Sequence, residues 1–267
     1  MGTLNPRGFA VVTGGSSGIG LELAKQFIAN QFDVLLAADG ADVHEVARTL
    51  VSHGAIVYPV QVDLATREGV DQLWSAIQDV ERPLEAIALN AGVGVSGRFI
   101  DTDVTAELDM VRLNCDAVLL LAKYAAREMV ARGRGRILIT SSIAGTMPAT
   151  YTAVYGATKA FELSLAEALH EELKDTGVTV TAMQPGPTDT RFFERAGMED
   201  TRVGQDDKDD PADVAKQGFD AMMKGKDKVI VGSFKSKMMG IANEVLPETT
   251  KAKQHGKMAE PGSGRKH

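Results

Sequence analysis

Short apolar segments alternate with amphipathic helical patterns along most of the chain, and this alternation constrains the fold more than any other feature. Strands are predicted at Phe9–Thr13, Val34–Ala38, Ile56–Gln61, Ala86–Leu89, Arg136–Thr140, Val178–Met183 and Val229–Val231. Helices are predicted at Gly18–Asn30, Val43–Ser52, Arg67–Val80, Thr105–Arg132, Tyr155–Asp175 and Pro211–Met223. Buried strands separated by helices are typical of a mostly parallel sheet covered on both faces. With no composition break, 267 residues suit one large α/β domain.

The first strand runs through a glycine-rich turn into the first helix. Gly14, Gly18 and Gly20 give the spacing T-G-x-x-x-G-x-G, a relative of the dinucleotide fingerprint. Glycine lets the backbone approach a phosphate closely, and the N-terminus of the helix offers free N–H groups to it. The sequence therefore predicts a phosphate site formed by Gly14, Ser16, Ser17, Gly18, Ile19 and Gly20.

Asp39 ends the second predicted strand, about twenty residues after the glycines. A carboxylate at this position meets the hydroxyls of the adenosine ribose in dinucleotide-binding folds. It also repels the additional phosphate of NADP, so it favours NAD, with NADP still possible. The alternative is a solvated aspartate in the turn ADGAD.

Tyr155 and Lys159 are four residues apart on one predicted helix and therefore lie on one face of it. A neighbouring ammonium favours the ionised phenol, so the pair suits proton transfer. Ser142, in the preceding segment, adds a hydroxyl that would hold a carbonyl or alcohol oxygen. The structural alternatives are a packed aromatic near a helix start for Tyr155, a cap of the turn after its strand for Ser142, and a helix-interior kink for Asn114.

Charge and composition exclude several classes of function. The net charge of -7 argues against nucleic acid as a main partner. The single cysteine, Cys115, excludes an intrachain disulfide and suits a reducing compartment. No signal peptide or membrane segment is evident, which predicts a soluble cytoplasmic protein without membrane contact. The five histidines are scattered, and no metal site is expected.

Two segments lack a regular pattern. Residues 186–210 lie between a strand and a helix, and segments of this length are functional or disordered. The aromatic part, with Phe192 and Phe193, predicts a lid over a pocket, whereas the acidic part is interpreted as a solvated run. Residues 251–267 lack periodicity and are expected to be a flexible tail after a domain formed by residues 1–250. SKMMGIANEVL, just before it, is expected to form a helix that packs on a partner subunit or over the pocket.

These motifs together resemble the short-chain dehydrogenase/reductase family, from about Phe9 to Val231. The matching motifs are TGGSSGIG, the turn; QVDL, with Asp63 and Leu64; LNAG, with Asn90, Ala91 and Gly92; VRLNCDA, with Asn114; Ser142 thirteen residues before Tyr155; YGATK, with Tyr155 and Lys159; and QPGPTDT, with Pro185, Gly186, Thr188 and Thr190. The resemblance implies a single doubly wound Rossmann-type domain with a central, mostly parallel seven-stranded sheet. One departure is that Asp39 stands one residue later than the acid typical of NAD-dependent members, where this chain has Ala38.

The resemblance also implies an activity, namely hydride transfer between a nicotinamide cofactor and a secondary alcohol or ketone. Tyr155 would be the general acid/base, with its pKa lowered by Lys159 and by the oxidised nicotinamide. Ser142 would position the substrate oxygen, and Asn114 would hold a water on a proton path from Lys159. Asp63 would contact the adenine, and the QPGPTDT segment would grip the nicotinamide carboxamide.

Substrate and assembly follow less directly. The expected substrate pocket is largely apolar and favours a hydrophobic alcohol or ketone; its residues are Val93, Gly94, Ser142, Ile143, Met147, Tyr151, Pro187 and Phe192. The resemblance suggests a homodimer or homotetramer that pairs through Asp116–Met129 and Phe161–Leu173. An NAD(P)-binding regulator without turnover is the alternative function, although such proteins tend to lose the tyrosine or lysine that this chain keeps. A sugar-nucleotide epimerase is disfavoured because its usual G-x-x-G-x-x-G turn is absent.

Overall fold

A seven-stranded parallel sheet forms the centre of the molecule. The computed structural model describes residues 7–51 and 54–264. The strands are β1 (Gly8–Thr13), β2 (Phe32–Ala38), β3 (Val57–Gln61), β4 (Ala86–Leu89), β5 (Gly135–Thr140), β6 (Val178–Pro185) and β7 (Lys228–Val231). Their order across the sheet is β3-β2-β1-β4-β5-β6-β7, and every pairing is parallel. The doubly wound α/β fold predicted from the alternation is therefore confirmed, with a fully parallel sheet.

Helices cover both faces of this sheet. They are α1 (Gly18–Ala29), α2 (Val43–Leu50), α3 (Arg67–Asp79), α4 (Val104–Val111), α5 (Val118–Arg132), α6 (Ala153–Leu173), α7 (Phe192–Arg195), α8 (Arg202–Gln205), α9 (Pro211–Met223), α10 (Phe234–Val245) and α11 (Glu248–Ala259). Side chains of α1, α2 and α9 pack in one buried core, and those of α3, α5 and α6 pack in the other. Because successive residues of a strand face opposite sides, β1 contributes Val12 to the first core and Val11 to the second.

The chain reverses direction across the sheet at β1, which lies between β2 and β4. At such a switch point the loops after the two strands leave in opposite directions and open a crevice at the carboxyl ends of the strands. The turn after β1 and the segment after β4 both border this crevice. The topology therefore places the predicted phosphate turn where open α/β sheets bind ligands.

The helix predicted from Thr105 to Arg132 is interrupted. Residues Arg112–Ala117 form a π-helical turn between α4 and α5. Within this turn Asn114 is fully buried. Its side-chain amide accepts a hydrogen bond from the N–H of Val93 and donates one to the carbonyl of Val93. Periodicity did not reveal the interruption, because a turn with one additional residue leaves the apolar pattern on either side intact. A smaller difference is that α2, expected to reach Ser52, ends at Leu50; Ser52 lies outside the described residues.

The tail expected to be flexible from residue 251 onward instead contains most of α11. Lys251 and Ala259 are buried, and the Lys251 ammonium donates to the backbone oxygens of Thr146 and Asn243. The expectation was wrong for residues 251–259 because polar contacts anchor much of this helix, so an apolar period is missing from its sequence. Residues 265–267 lie outside the described part of the chain.

A third, smaller apolar cluster joins the irregular segment to this last helix. Phe193, Ala196, Met198 and Val203 come from residues 186–210, and Ala259 comes from α11. The segment expected to act as a lid therefore has a packed interior, which it shares with the end of the chain. Within the described ranges, no helix is both long and apolar enough to cross a lipid bilayer.

Candidate active site

The turn after β1 leaves no room for side chains at two of its glycines. Gly14 has a φ of +65°, and a Cβ there would lie 2.9 Å from the Cα of Ala91. Gly20 does not line the crevice; a Cβ on it would lie 2.1 Å from the carbonyl oxygen of Gly14, so its role is to seat α1 against the turn. Ser17 precedes α1 without capping it by its side chain, so the first N–H groups of the helix keep their capacity for an anion.

Thr13, which the sequence did not single out, connects the ends of the two central strands. Its hydroxyl accepts hydrogen bonds from the backbone N–H groups of Asn90 (2.9 Å) and Ala91 (3.0 Å). The Asn90 side chain donates to the carbonyl of Thr13 at 3.2 Å. These contacts fix the LNAG segment beside the glycine turn, so both walls of the crevice are held by buried polar groups.

Two carboxylates lie at the outer end of the crevice. Asp39 is exposed directly after β2, where Gln61 donates to its backbone carbonyl at 3.2 Å. Asp63 is exposed after β3 and accepts the N–H of Ala65 through one oxygen, at 2.9 Å. Both line the same crevice, together with the buried Leu64. This end suits the hydroxyls and N–H groups of an adenosine.

Ser142, Tyr155 and Lys159 meet at the inner end of the crevice. Ser142 follows β5 and caps a 3₁₀ turn (Ile143–Thr146), while Tyr155 and Lys159 stand in the first turns of α6. The Lys159 Nζ atom lies 5.8 Å from the centre of the Tyr155 ring. All three residues line the crevice. The spacing of four residues therefore produces the expected juxtaposition.

The charge environment of Tyr155 differs from the sequence expectation. Burial raises the pKa of its phenol; Lys159 lowers this pKa, Glu162 raises it, and an interaction with Ser142 lowers it, with a net increase. Lys159 thus acts in the expected direction but does not outweigh burial. The pKa of Lys159 is itself raised, because Glu162 and Tyr155 outweigh the effect of burial.

Asn114 lies behind this group rather than in the crevice. Its side-chain amide donates to Val93 O and to the hydroxyl of Thr158, both at 3.0 Å. A Cβ at Gly92 would lie 3.2 Å from both Asn114 Oδ1 and Lys159 Nζ, so the glycine of LNAG lets these two groups approach the strand end. The amide of Asn114 is thus committed to protein partners, and its observed role is to hold the segment after β4 next to α6.

The segment after β6 forms the wall opposite the glycine turn. The hydroxyl of Thr188 donates to the carbonyl of Gly186. The backbone N–H of Asp209 donates to the carbonyl of Pro187, and the carbonyl of Asp209 accepts the N–H of Asp189. The Asp209 carboxylate in turn accepts a 2.5 Å hydrogen bond from Ser236 at the start of α10. This wall is therefore coupled to the C-terminal helices.

Most of the predicted site residues share one cleft of about 310 Å³. It is lined by Gly14, Ser16, Ser17, Gly18, Ile19, Asp39, Asp63, Leu64, Asn90, Ala91, Gly92, Val93, Ser142, Ile143, Met147, Tyr155, Lys159, Pro185, Gly186, Pro187, Thr188, Thr190 and Phe192. Gly20, Gly94, Asn114 and Tyr151 are not part of this lining. Tyr151, expected to contact substrate, packs instead against the lid cluster, with its hydroxyl 3.4 Å from Glu260.

The structure adds lining residues that the sequence analysis missed. From the lid and the C-terminal helices these are Arg191, Arg195, Met198, Val203, Met239, Asn243, Lys251, Gln254, His255 and Met258. The predicted helix SKMMGIANEVL lies over the pocket, since α10 contributes Met239 and Asn243 to the lining. The richness of the C-terminal region in methionine was the one available signal, because this flexible side chain is common at adaptable binding surfaces.

The crevice fits a nicotinamide dinucleotide by observations independent of any resemblance. An uncapped helix N-terminus adjoins a glycine turn too tight for side chains, carboxylates stand at one end, and a phenol and an ammonium stand at the other. In the described part of the chain, no cluster of three or more His, Cys, Asp or Glu side chains is arranged to hold a metal ion.

Comparison with known proteins agrees with this geometry. The family model described as short chain dehydrogenase matches residues 8–200. An uncharacterized oxidoreductase of Staphylococcus aureus is 30% identical over 218 residues, covering 81% of this chain and 91% of its own length. A short-chain dehydrogenase from Sphingobium yanoikuyae, solved with NADPH, is 28% identical with a TM-score of 0.78, covering 84% of this chain and 87% of its own.

A second solved structure shows how widely the fold is shared. A short-chain dehydrogenase/reductase from Burkholderia phymatum, solved with NAD, has a TM-score of 0.78 at 21% identity and covers 85% of this chain and 90% of its own. At that identity the likeness concerns the fold alone. From the matching family model, the relatives and the crevice itself, we conclude that the chain belongs to the short-chain dehydrogenase/reductase family of NAD(P)-dependent oxidoreductases.

Proposed function

We propose that this protein transfers a hydride between a nicotinamide cofactor and a secondary alcohol or ketone, with Tyr155 as general acid/base. The observation that carries the proposal is the convergence of Ser142, Tyr155 and Lys159 on the cleft that the glycine turn also borders. When bound, the cofactor supplies the hydride acceptor or donor. The chain must then supply alignment and one well-placed proton.

Each of the three residues has a distinct part in this proposal. The Ser142 hydroxyl holds the substrate oxygen and, through its interaction with the phenol, stabilises the ionised form of Tyr155. Tyr155 takes the alcohol proton in oxidation and returns it in reduction. Lys159 keeps its positive charge, because Glu162 and Tyr155 raise its pKa, and so opposes the effect of burial on the phenol. General acid–base catalysis of this kind contributes about 10²–10⁴-fold to the rate.

We propose that NAD is preferred to NADP. Support comes from Asp39, whose carboxylate stands exposed after β2 and lines the cleft, where it would repel a ribose phosphate. The Sphingobium yanoikuyae relative carries NADPH, so the preference rests on this one side chain rather than on family membership.

The proposed substrate is a hydrophobic ketone or secondary alcohol, including aryl and steroid-like ones. The wall facing Tyr155 is largely apolar, with Met147, Phe192, Met198 and Met258 among its members. The ring centres of Tyr155 and Phe192 are 5.2 Å apart, so an aromatic face lies beside the proposed acid/base.

The test of this function is an absorbance screen at 340 nm with both cofactors and a panel of apolar alcohols and ketones. The Tyr155→Phe variant should lose turnover by about 10²-fold or more while binding the cofactor with unchanged affinity, measured by fluorescence of bound NADH. If the protein binds NAD(P)H but turns over no member of a broad panel, the regulatory alternative replaces the proposed function. If Tyr155→Phe retains full turnover, the role of Tyr155 is wrong.

We also propose assembly into a homodimer or homotetramer through α5 and α6. Support comes from Leu119, Val130 and Phe161, which leave 42%, 38% and 37% of their surface exposed on these helices. Paired helices would cover such side chains. Light scattering should give two or four times the mass of one chain, and a monomeric mass would contradict the proposal.

A further inference from the structure

A buried carboxylate next to the proposed catalytic lysine has entered so far only through its effect on neighbouring pKa values. Glu162 lies three residues after Lys159 on α6 and is only 1% exposed. Its Oε1 and Oε2 atoms lie 3.1 Å and 2.9 Å from the Lys159 Nζ atom. Both oxygens are thus paired with the same ammonium, in a region shielded from solvent. A carboxylate buried in this way requires an explanation, because removing a charge from water is costly.

The contacts of Lys159 suggest one. An ammonium has three donors. One is donated to the backbone carbonyl of Thr140, at the end of β5, at 2.9 Å, and a second to Glu162. One donor therefore remains on a side chain that lines the cleft. Thr140 and Glu162 fix the direction of the ammonium, and thus the direction of the free donor.

We propose that Glu162 is a positioning residue, which anchors the Lys159 ammonium and sets how strongly its charge acts on Tyr155. The proposal rests on the proposed function, because it assigns Glu162 a role through Lys159. Stability alone is a weak explanation for this pair, since apolar groups of similar volume often replace buried ion pairs without loss.

The charges around Glu162 give the proposal a direction. Burial raises the pKa of Glu162 to about 7, and the adjacent ammonium limits the increase. The charge of Glu162 also acts on two titratable groups besides Lys159. It raises the pKa of Tyr155 on α6 and the pKa of Cys115 on the π-helical turn. Asp116 also raises the pKa of Cys115, and Lys159 lowers it. Ionised Glu162 therefore delays the loss of a proton from Tyr155, Lys159 and Cys115 alike.

The first test compares Glu162→Gln with Glu167→Gln. At position 162, Gln keeps the size of the side chain and a hydrogen-bond acceptor for Lys159 but removes the negative charge. Glu167→Gln is the control, because Glu167 lies on the same helix but pairs with Lys228 at the surface. For alcohol oxidation, both limbs of the pH profile of kcat/KM should move to lower pH in Glu162→Gln, by on the order of one unit. Below about pH 6, where Glu162 is largely protonated, the two profiles should converge. Glu167→Gln should retain the native profile, and Glu162→Asp should restore it in part.

The second test needs neither cofactor nor turnover. Cys115 is the only cysteine and is half-buried, so its alkylation by iodoacetamide reports the local charge. Burial, followed by Glu162, raises its pKa to about 11. Glu162→Gln should lower this pKa and speed alkylation several-fold at pH 8, and Glu167→Gln should not.

The outcomes separate the two proposals. If Glu162→Gln lowers the pKa of the Cys115 thiol but the protein turns over no substrate, the proposed function is wrong. The charge coupling of Glu162 to its neighbours then still stands. If turnover is found and the pH profile of Glu162→Gln is unchanged, with only thermal stability reduced, the positioning role is wrong. An unchanged thiol pKa together with an unchanged profile would likewise overturn it.

Discussion

The two ends of the cleft are built in different ways. The cofactor end is formed by backbone at the strand ends, where Gly14 and Gly18 take positive φ angles and Thr13 joins β1 to the segment after β4. The substrate wall is formed by side chains from α7, α8, α10 and α11, far from the glycine turn in the chain. For the proposed function, the difference teaches that cofactor recognition is a local property of a few turns, whereas substrate recognition depends on long-range packing.

The two ends also differ in how firmly they are held. The strands beneath the cofactor end belong to two large buried cores. The wall has only the cluster of Phe193, Ala196, Met198, Val203 and Ala259, with a rim of partly buried aromatic and methionine side chains. Regions with few buried apolar contacts open at lower free energy than core strands. We therefore expect the wall to be the part that opens to admit substrate.

The largest effect on ligand binding is expected for Gly14→Ala, which alters the cofactor end. The new Cβ would occupy a backbone at φ +65° and lie 2.9 Å from the Cα of Ala91. Gly133→Ala is the matched control, because Gly133 has a φ of +70° and nothing within 4 Å of a Cβ. Strain alone costs roughly 1 kcal/mol of the free energy of unfolding in both variants. Only Gly14→Ala should also lose NADH affinity, by about tenfold or more, measured by fluorescence. Equal affinities in the two variants would show that the turn tolerates side chains.

An intermediate effect is expected for Phe193→Ala, which weakens the wall. Phe193 is 8% exposed and contacts the edge of Phe192. Its loss should lower the free energy of unfolding by about 3 kcal/mol, at the lower limit for a buried aromatic because the cluster is small. The KM for an apolar alcohol should rise several-fold while the affinity for NADH stays native. Phe234→Ala, at a position 80% exposed, should change neither the free energy of unfolding nor the KM. A parallel loss of NADH affinity in Phe193→Ala would contradict the separation of the two ends.

The smallest effect is expected for Asp39→Ala, which alters one charge at the cofactor end. Without this carboxylate, the ratio of kcat/KM for NAD to that for NADP should fall about threefold, equivalent to roughly 0.7 kcal/mol. The fold should be unaffected because Asp39 is exposed. Asp79→Ala, at an exposed position at the end of α3, makes the same change in net charge and should leave the ratio unaltered. An unchanged ratio in Asp39→Ala would remove the basis for NAD preference.

Much of the fold was predictable because periodicity and turn residues are local signals. The strand Ala86–Leu89 and the helix Pro211–Met223 have the predicted limits, and Asp210 caps that helix through its side chain. The π-helical turn around Asn114 was not predictable, because its cause is a bond to Val93 on another element. The helix at residues 248–259 was missed because Lys251 anchors it through polar contacts.

The candidate site divides in the same way. Tyr155 and Lys159 were predictable because four residues make one turn of a helix. Glu162, three residues further, is the type of residue that normally faces solvent, and only packing shows that it is buried against Lys159. Tyr151 was expected in the pocket, but its ring packs against the lid cluster, which only the tertiary structure brings next to it.

By itself, the amino-acid sequence determined the parallel sheet through its alternation of strands and helices, the glycine turn at the first strand end and the spacing of the tyrosine and lysine, since residues close together in the chain signal each of them. The tertiary structure alone decided which side chains face Tyr155, that α10 and α11 close the pocket, and that Glu162 is paired with Lys159 out of water. Burial is the physical reason, because the energetics of a charge or an apolar surface depend on neighbours brought together from distant parts of the chain.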